Sequence, residues 1–212
     1  MSNVQNFGGR GAGVVRDVLI SEESARQDDP GAVLHDIEAF VKALLESGRY
    51  DRSDFPPATL ASGGLALYIG GVNGGGHSGF LQYHGSELFN FVKPGIALAG
   101  LSGSLGPIWS GYEAYIAAEG RPEPYPEDGE PIKLSKGKLE KLLEGLFPPD
   151  PFELYFPEEA WRSPVLQDLD NRFNAVSDDA AAQLKRFVLA LPNVRLLPSA
   201  DWMAELKRLR SP

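Results

Sequence analysis

Residues 59–73 read TLASGGLALYIGGVN, and the spacing of their apolar positions decides the fold class. Leu60, Leu65, Leu67, Tyr68, Ile69 and Val72 would cover a helix nearly all round, which is the pattern of a buried helix rather than an amphipathic surface one. Gly63, Gly64, Gly70 and Gly71 would let neighbouring elements cross it closely. A strand is the competing reading, and glycine weakens either. Thr59 is placed to cap the helix, and the NGGGHSG that ends the block demands a turn.

On the N-terminal side, GAVLHDIEAFVKALLESG puts Val33, Ile37, Phe40, Val41, Leu44 and Leu45 on one stripe at helical spacing, with Gly48 as the stop. Residues 1–30 lack a sustained period and read as a loosely structured extension, in which Val14, Val15, Val18, Leu19 and Ile20 could dock as a short strand or turn. On the C-terminal side, FLQYHGSELFNFV reads as two short helical pieces around Gly85, and Pro94 belongs in the first turn of a new helix. GPIWSGYEAYIAAEG is a further helix, opened by Pro107 and closed by Gly120.

Leu139, Leu142, Leu143 and Leu146 mark a short amphipathic helix. Ser163 and Pro164 open the next one, with a stripe of Val165, Leu169 and Phe173. Ser177 is read as the cap of a helix carrying Leu184, Phe187, Val188 and Leu191, and Trp202, Leu206 and Leu209 mark the last. Helical periods dominate and period-2 alternation is nearly absent. The expected fold is therefore all-α, a single compact multi-helix domain over 31–212 interrupted by an acidic, proline-rich loop at 121–131.

Composition narrows the function classes. The 212 residues hold 20 Lys plus Arg, 29 Asp plus Glu, three His and no Cys, for a net charge of −9. The missing cysteine excludes disulfides, thiolate metal sites and Cys nucleophiles. The acidic balance argues against nucleic acid as a direct ligand. No apolar run approaches the roughly 18 residues of a membrane span, and MSNVQNFGGR is not a signal peptide, so the expected location is cytoplasmic without membrane contact. The charge is uneven: −4 over residues 1–60, −1 over 61–118, −7 over 119–170 and +3 over 171–212. The nearly neutral, glycine-rich centre reads as core, and the flanks as electrostatic surface.

Each catalytic motif fails on spacing. GGVNGGGHSGF has no lysine and neither phosphate-loop order of glycines. GHSGF places Gly76 and Ser78 as in a nucleophile elbow, but Phe80 stands where the second glycine belongs and no strand precedes it. His77 and His84 with Glu87 or Asp36 could hold a metal, yet no tight ligand spacing supports it; turn or helix-end hydrogen bonds suit these histidines better, with His35 on the surface. No residue is assigned as catalytic, cofactor-binding or metal-ligating. The carboxylates instead suggest a collective role in attracting a basic partner. Asp36, Glu38 and Glu46 contribute from the first long helix, and Glu123, Glu127, Asp128 and Glu130 from the acidic loop.

The run ALYIGGVNGGGHSGFLQYHG, followed by ALAGLSGSLGPIWSGYEAYIAAEG, resembles the signature of the bacterial DNA-mimic protein family, also catalogued as a domain of unknown function. Val72, Asn73, Gly74 and Gly75 match the opening of its motif. Phe80, Gln82 and Tyr83 match the next part after an insertion around Gly76–Gly79, and Leu169, Asp170, Arg172 and Phe173 match a second block. The resemblance spans roughly residues 32–192. It implies a helical fold without catalytic residues, and in the characterised branch a protein that occupies a DNA-binding regulator by presenting carboxylates in place of phosphates. In physical terms Asn73 is expected to serve a turn or cap, the glycines close packing, and Phe80 and Tyr83 the core.

The expected function is a non-enzymatic acidic protein–protein interaction module that binds a basic surface, with mimicry of double-stranded DNA as its most specific form. The alternatives are a hydrolase or metal-binding enzyme built on the His77–His84 region, with Ser78, Gln82 and Tyr83 around one pocket, and an acidic toxin-neutralising or scaffold partner that does not copy DNA.

Overall fold

The computed structural model describes residues 15–81, 83, 86–119 and 163–210. They form a single compact, predominantly helical domain with one small two-stranded sheet. Strand β1 (Val18–Ser21) leads into the short α1 (Glu22–Arg26) and the long α2 (Gly31–Glu46). After a 3-10 turn at Arg52–Asp54 comes α3 (Pro57–Phe80), kinked at Gly76. A 3-10 segment at Glu87–Phe91 feeds α4 (Val92–Leu98), followed by α5 (Gly106–Glu119). The remaining elements are α6 (Pro164–Asn174), α7 (Ser177–Leu189), β2 (Val194–Leu197) and α8 (Ser199–Arg210).

The middle of α3 is the core, as its all-round apolar pattern requires. Every residue from Thr59 to Ile69 is buried, and α2, α4, α6 and α7 all pack on this one helix. The crossing with α4 is set by Gly95: a Cβ there would overlap the carbonyl of Ala61 and stand 2.7 Å from the Leu65 Cβ. Glycine at the contact is thus a steric condition for two helices to lie this close. Gly48 ends α2 at φ +66, and Pro94 lies in the first turn of α4, both as expected.

Several local expectations are corrected. The stretch read as a loose extension to residue 30 is integral from Val15 onward, and the short strand allowed for there forms: Val18, Leu19 and Ile20 are buried, and β1 pairs in parallel with β2 in the register Val18↔Val194. Neither strand alternates, because all four residues of β1 are enclosed and β2 is only four residues long, so period-2 reading misses them. Trp202 fastens α8 to this sheet through Nε1–H donated to the Leu19 carbonyl, 3.0 Å away.

Thr59 does not cap. The helix begins at Pro57, and the Thr59 hydroxyl is buried without a partner among the described residues. Ser177 is the first residue of α7 rather than its cap, which is Val176. Val165 is half exposed at 52%; Leu166, Leu169 and Phe173 form the buried stripe of α6. The expected helix around Leu139–Leu146 and the acidic loop lie outside the described residues. No helix among the described residues is long and apolar enough to cross a membrane.

Candidate functional site

The glycine run at the end of α3 has two sides with different chemistry. Its inner side holds a buried polar relay. At Gly76 the chain takes φ +64 and ψ −176, a backbone region essentially open only to glycine. The resulting kink aims His77 inward, where its side chain is fully buried. The ring Nδ1 lies 2.6 Å from Asp170 Oδ1 on α6, and the same oxygen accepts the His77 backbone N–H at 2.7 Å. The ring Nε2 lies 2.9 Å from the Tyr68 hydroxyl.

Burial, with the charge of Asp170 adding to it, holds the Tyr68 hydroxyl far above its ordinary pKa, so it remains a donor. An ionised carboxylate only accepts, so Nδ1–H donates to Asp170, and in the neutral ring Nε2 then accepts from the Tyr68 hydroxyl. An aromatic shell closes the relay. Tyr68 makes edge contacts with Phe80, Trp109 and Phe173 at centroid distances of 5.2, 5.1 and 5.5 Å, and Tyr112 lies 5.3 Å from the imidazole. Both ring nitrogens of His77 are engaged. In this arrangement the relay pins the kink of α3 to α6.

The outer side of the run faces a groove of about 700 Å³ between α2, α3 and the start of α7, a volume in the range of ligand pockets. Its floor is the glycine face of α3, and its walls carry Asp29 and Glu38 from one side and Asp178 from the other. His35, Asn73 and Tyr83 also line it, whereas no Lys or Arg does among the described residues. Asp29 is partly committed, accepting the Gly31 N–H at 2.8 Å ahead of α2. Glu38 stands over the floor: a Cβ on Gly70 would meet its Oε2 at 3.9 Å. Burial pushes the Glu38 carboxyl above the usual range, against the smaller opposing effects of Lys42 and His35.

The predicted site residues separate on these two sides. Asp36 is buried and accepts the Ser21 N–H at 2.8 Å, tying α2 to β1; it is no surface charge, because it points roughly 200° around the helix from Glu38. Glu38 lines the groove, and Glu46 is exposed 3.9 Å from Lys42. Glu123, Glu127, Asp128 and Glu130 lie outside the described residues. In the motif, Val72, Phe80, Leu169 and Phe173 are buried, and Tyr83 packs on Phe80 with centroids 5.5 Å apart. Asn73 is exposed within α3 rather than turning the chain, and Arg172 is exposed 3.6 Å from Asp168.

Among the described residues Gly74 and Gly75 make no close packing contact, since a Cβ at either would meet none of their atoms within 4 Å. Close packing falls to Gly64, Gly71, Gly95 and Gly111. The enzyme reading asked for His77, Ser78, Gln82, Tyr83 and His84 around one pocket. His77 and Ser78 are buried and do not line the groove, Tyr83 does, and Gln82 and His84 lie outside the described residues. Among the described residues no group of three or more His, Asp or Glu side chains is placed to hold a metal ion.

Sequence reasoning missed the meeting of His77 with Asp170, 93 positions apart, and the acidic groove assembled from Asp29, Glu38 and Asp178. Compared with protein-family models, curated proteins and solved structures, the chain matches none of them.

Proposed function

We propose that the protein is a non-enzymatic interaction module whose acidic groove receives a basic segment of a partner protein. The observation that carries this reading is the groove's lining: three carboxylates, two from the α2 segment and one from α7, and no Lys or Arg among the described residues. Such a surface favours cations and repels acidic competitors. The resemblance to the DNA-mimic family gives the reading its most specific form, a partner that offers its DNA-binding face.

The test is a titration with a blocked arginine-containing peptide and with its citrulline counterpart, which keeps the shape and loses the charge. The arginine peptide binds more tightly, and its affinity falls with added salt. Glu38→Gln weakens it about tenfold, equivalent to about 1.4 kcal/mol. Because the Glu38 carboxyl is raised, affinity falls as the pH drops through its titration and the charge that holds the cation disappears. Equal affinity for the two peptides refutes the reading. With a natural partner in hand, displacement by duplex DNA supports mimicry, and co-binding with DNA places the partner's contact elsewhere.

A further inference from the structure

The small sheet has two edges, and the fold treats them differently. Val18 N–H donates to the Asn193 carbonyl at 2.8 Å, and the parallel register sets Val18 beside Val194 and Ile20 beside Leu196. In that ladder Asn193, Arg195 and Leu197 turn their backbone groups toward β1, so Val194 and Leu196 turn theirs outward. On the far side of β1 two outward groups are met by side chains: Trp202 donates to the Leu19 carbonyl, and Asp36 accepts the Ser21 N–H. On the far side of β2 the Val194 N–H is spent on the Leu191 carbonyl, 3.2 Å away. The Val194 carbonyl and both backbone groups of Leu196 have no partner among the described residues. Leu196 thus offers a donor and an acceptor to a further strand.

The side chains of the same strand supply a second observation. Val194 and Leu196 share one face, and with Ala25, Leu189 and Leu191 they line a groove of about 510 Å³. These are surface side chains rather than core: Leu196 is 45% exposed and the other four are half-buried. The charged residues of the groove, Glu22 and Arg26, are paired with each other at 2.6 Å. The opposite face of β2 carries Arg195, which is exposed and makes no ion pair among the described residues. Glu205, which lines the same small cavity as Arg195, has both carboxylate oxygens held by Arg208 at 2.7 Å. One strand therefore presents an open backbone edge, an apolar face and an unpaired cation.

We propose that the outer edge of β2 binds an extended segment of a partner protein as a third strand, one whose side chains alternate between apolar and acidic. The backbone bonds form at Leu196 and at the Val194 carbonyl. Side chains of the added strand fall alternately on the two faces, so its apolar residues enter the groove and its carboxylates lie beside Arg195. This surface is separate from the acidic groove and shares no lining residue with it. A second copy of the chain fits the edge poorly. Pairing Leu196 with itself about a two-fold axis would set Pro198, which lacks an N–H, opposite the Val194 carbonyl, and both Arg195 side chains on one face.

The probe is a short blocked peptide of alternating valine and glutamate, added to the full chain and followed by calorimetric titration and by amide hydrogen exchange. Its counterparts carry lysine in place of glutamate, or N-methyl groups along the backbone. In the free protein the Leu196 amide exchanges about tenfold faster than the Ile20 amide inside the ladder, and the valine–glutamate peptide slows it about tenfold. The lysine and N-methylated peptides each bind about threefold more weakly. Arg195→Glu, at an exposed position, abolishes the preference for glutamate over lysine. Lys93→Glu makes the same change of charge on α4, which packs on α3 and α5, and leaves that preference intact. Leu196→Pro removes the outward N–H, a change that an edge strand accepts, and weakens binding about tenfold with the melting temperature confirming the fold. Four results overturn the proposal: no binding of the peptide, binding that leaves Leu196 exchange unchanged, a Leu196 amide already as protected as Ile20 in the free chain, or a dimer that protects Leu196 at its interface.

Discussion

Replacing Gly76 by alanine tests the most constrained point of the structure. Two costs arise together. The first is conformational: φ +64 with ψ −176 is held by non-glycine residues only at about 1–3 kcal/mol. The second is steric and then electrostatic. The new methyl would stand 2.7 Å from Asp170 Oδ2 and 3.2 Å from Oδ1, the oxygen that accepts both the His77 N–H and its ring Nδ1–H. Asp170 is 28% exposed and can swing toward water, whereas His77 is fully buried and cannot follow. Its two donors would be left unpaired in the core, at about 1–3 kcal/mol each.

These terms overlap, so the expected loss is about 3–5 kcal/mol, large for a single methyl group. The assay is equilibrium urea unfolding, with an unchanged slope confirming that the same cooperative unit unfolds. A double-mutant cycle with Asp170→Ala isolates the mechanism. If the methyl acts by evicting the carboxylate, Gly76→Ala costs markedly less once the carboxylate is gone. A loss below about 1 kcal/mol, or strict additivity in the cycle, refutes the reasoning.

Gly95→Ala, at the α3–α4 crossing, is expected to cost at least about 2 kcal/mol in the same assay, because the methyl meets the Ala61 carbonyl and the Leu65 Cβ rather than a flexible side-chain end. Thr59→Val should hold or raise stability by about 1 kcal/mol, since it removes a fully buried hydroxyl that has no partner among the described residues; a clear loss would show that the hydroxyl is bonded. Hydrogen bonds donated to Glu23 by the Ser199 hydroxyl foremost, then by its own backbone N–H, the Ser21 hydroxyl and the Ser199 N–H at 2.9 Å, hold its carboxyl down to about 2. A depressed carboxyl stabilises the fold above its unfolded value and loses that contribution as pH falls through about 2. The docking of α8 should therefore loosen over that acid range in wild type and lose this dependence in Glu23→Gln, as read by amide hydrogen exchange of Ser199.

The helical architecture was legible because the signal is local. The apolar cover of residues 59–73, the stripe from Val33 to Leu44, Gly48 at the stop of α2 and the Ser163–Pro164 opening each express a 3.6-residue period or a cap within a few positions. The two strands were harder, since a four-residue parallel pair joining positions 18 and 194 exists only when the chain's two ends meet. Thr59 and Ser177 show the same limit at single residues: both have the chemistry of a cap, but neighbouring prolines and packing start one helix two residues earlier and make Ser177 the first residue of the other.

Charge was the least legible property. The sequence shows that Asp36, Glu38 and Glu46 are acidic and share a helix, not that one is buried against β1, one lines a groove and one is solvated. The same holds for the glycines. Composition marks the run from Gly70 to Gly79 as unusual, yet only neighbouring atoms distinguish Gly76, where a Cβ would press on the Asp170 carboxylate, from Gly74, where a Cβ would meet no atom of the described residues within 4 Å.

The sequence by itself determined the helical fold class, the buried central helix and the absence of thiol chemistry, because these depend on composition and on spacing within one segment. Tertiary structure alone decided that His77 is consumed by Tyr68 and Asp170, and that Asp29, Glu38 and Asp178 line one groove. Hydrogen bonds and electrostatic fields depend on distance in space, and residues brought together from separate segments leave no periodic mark along the chain.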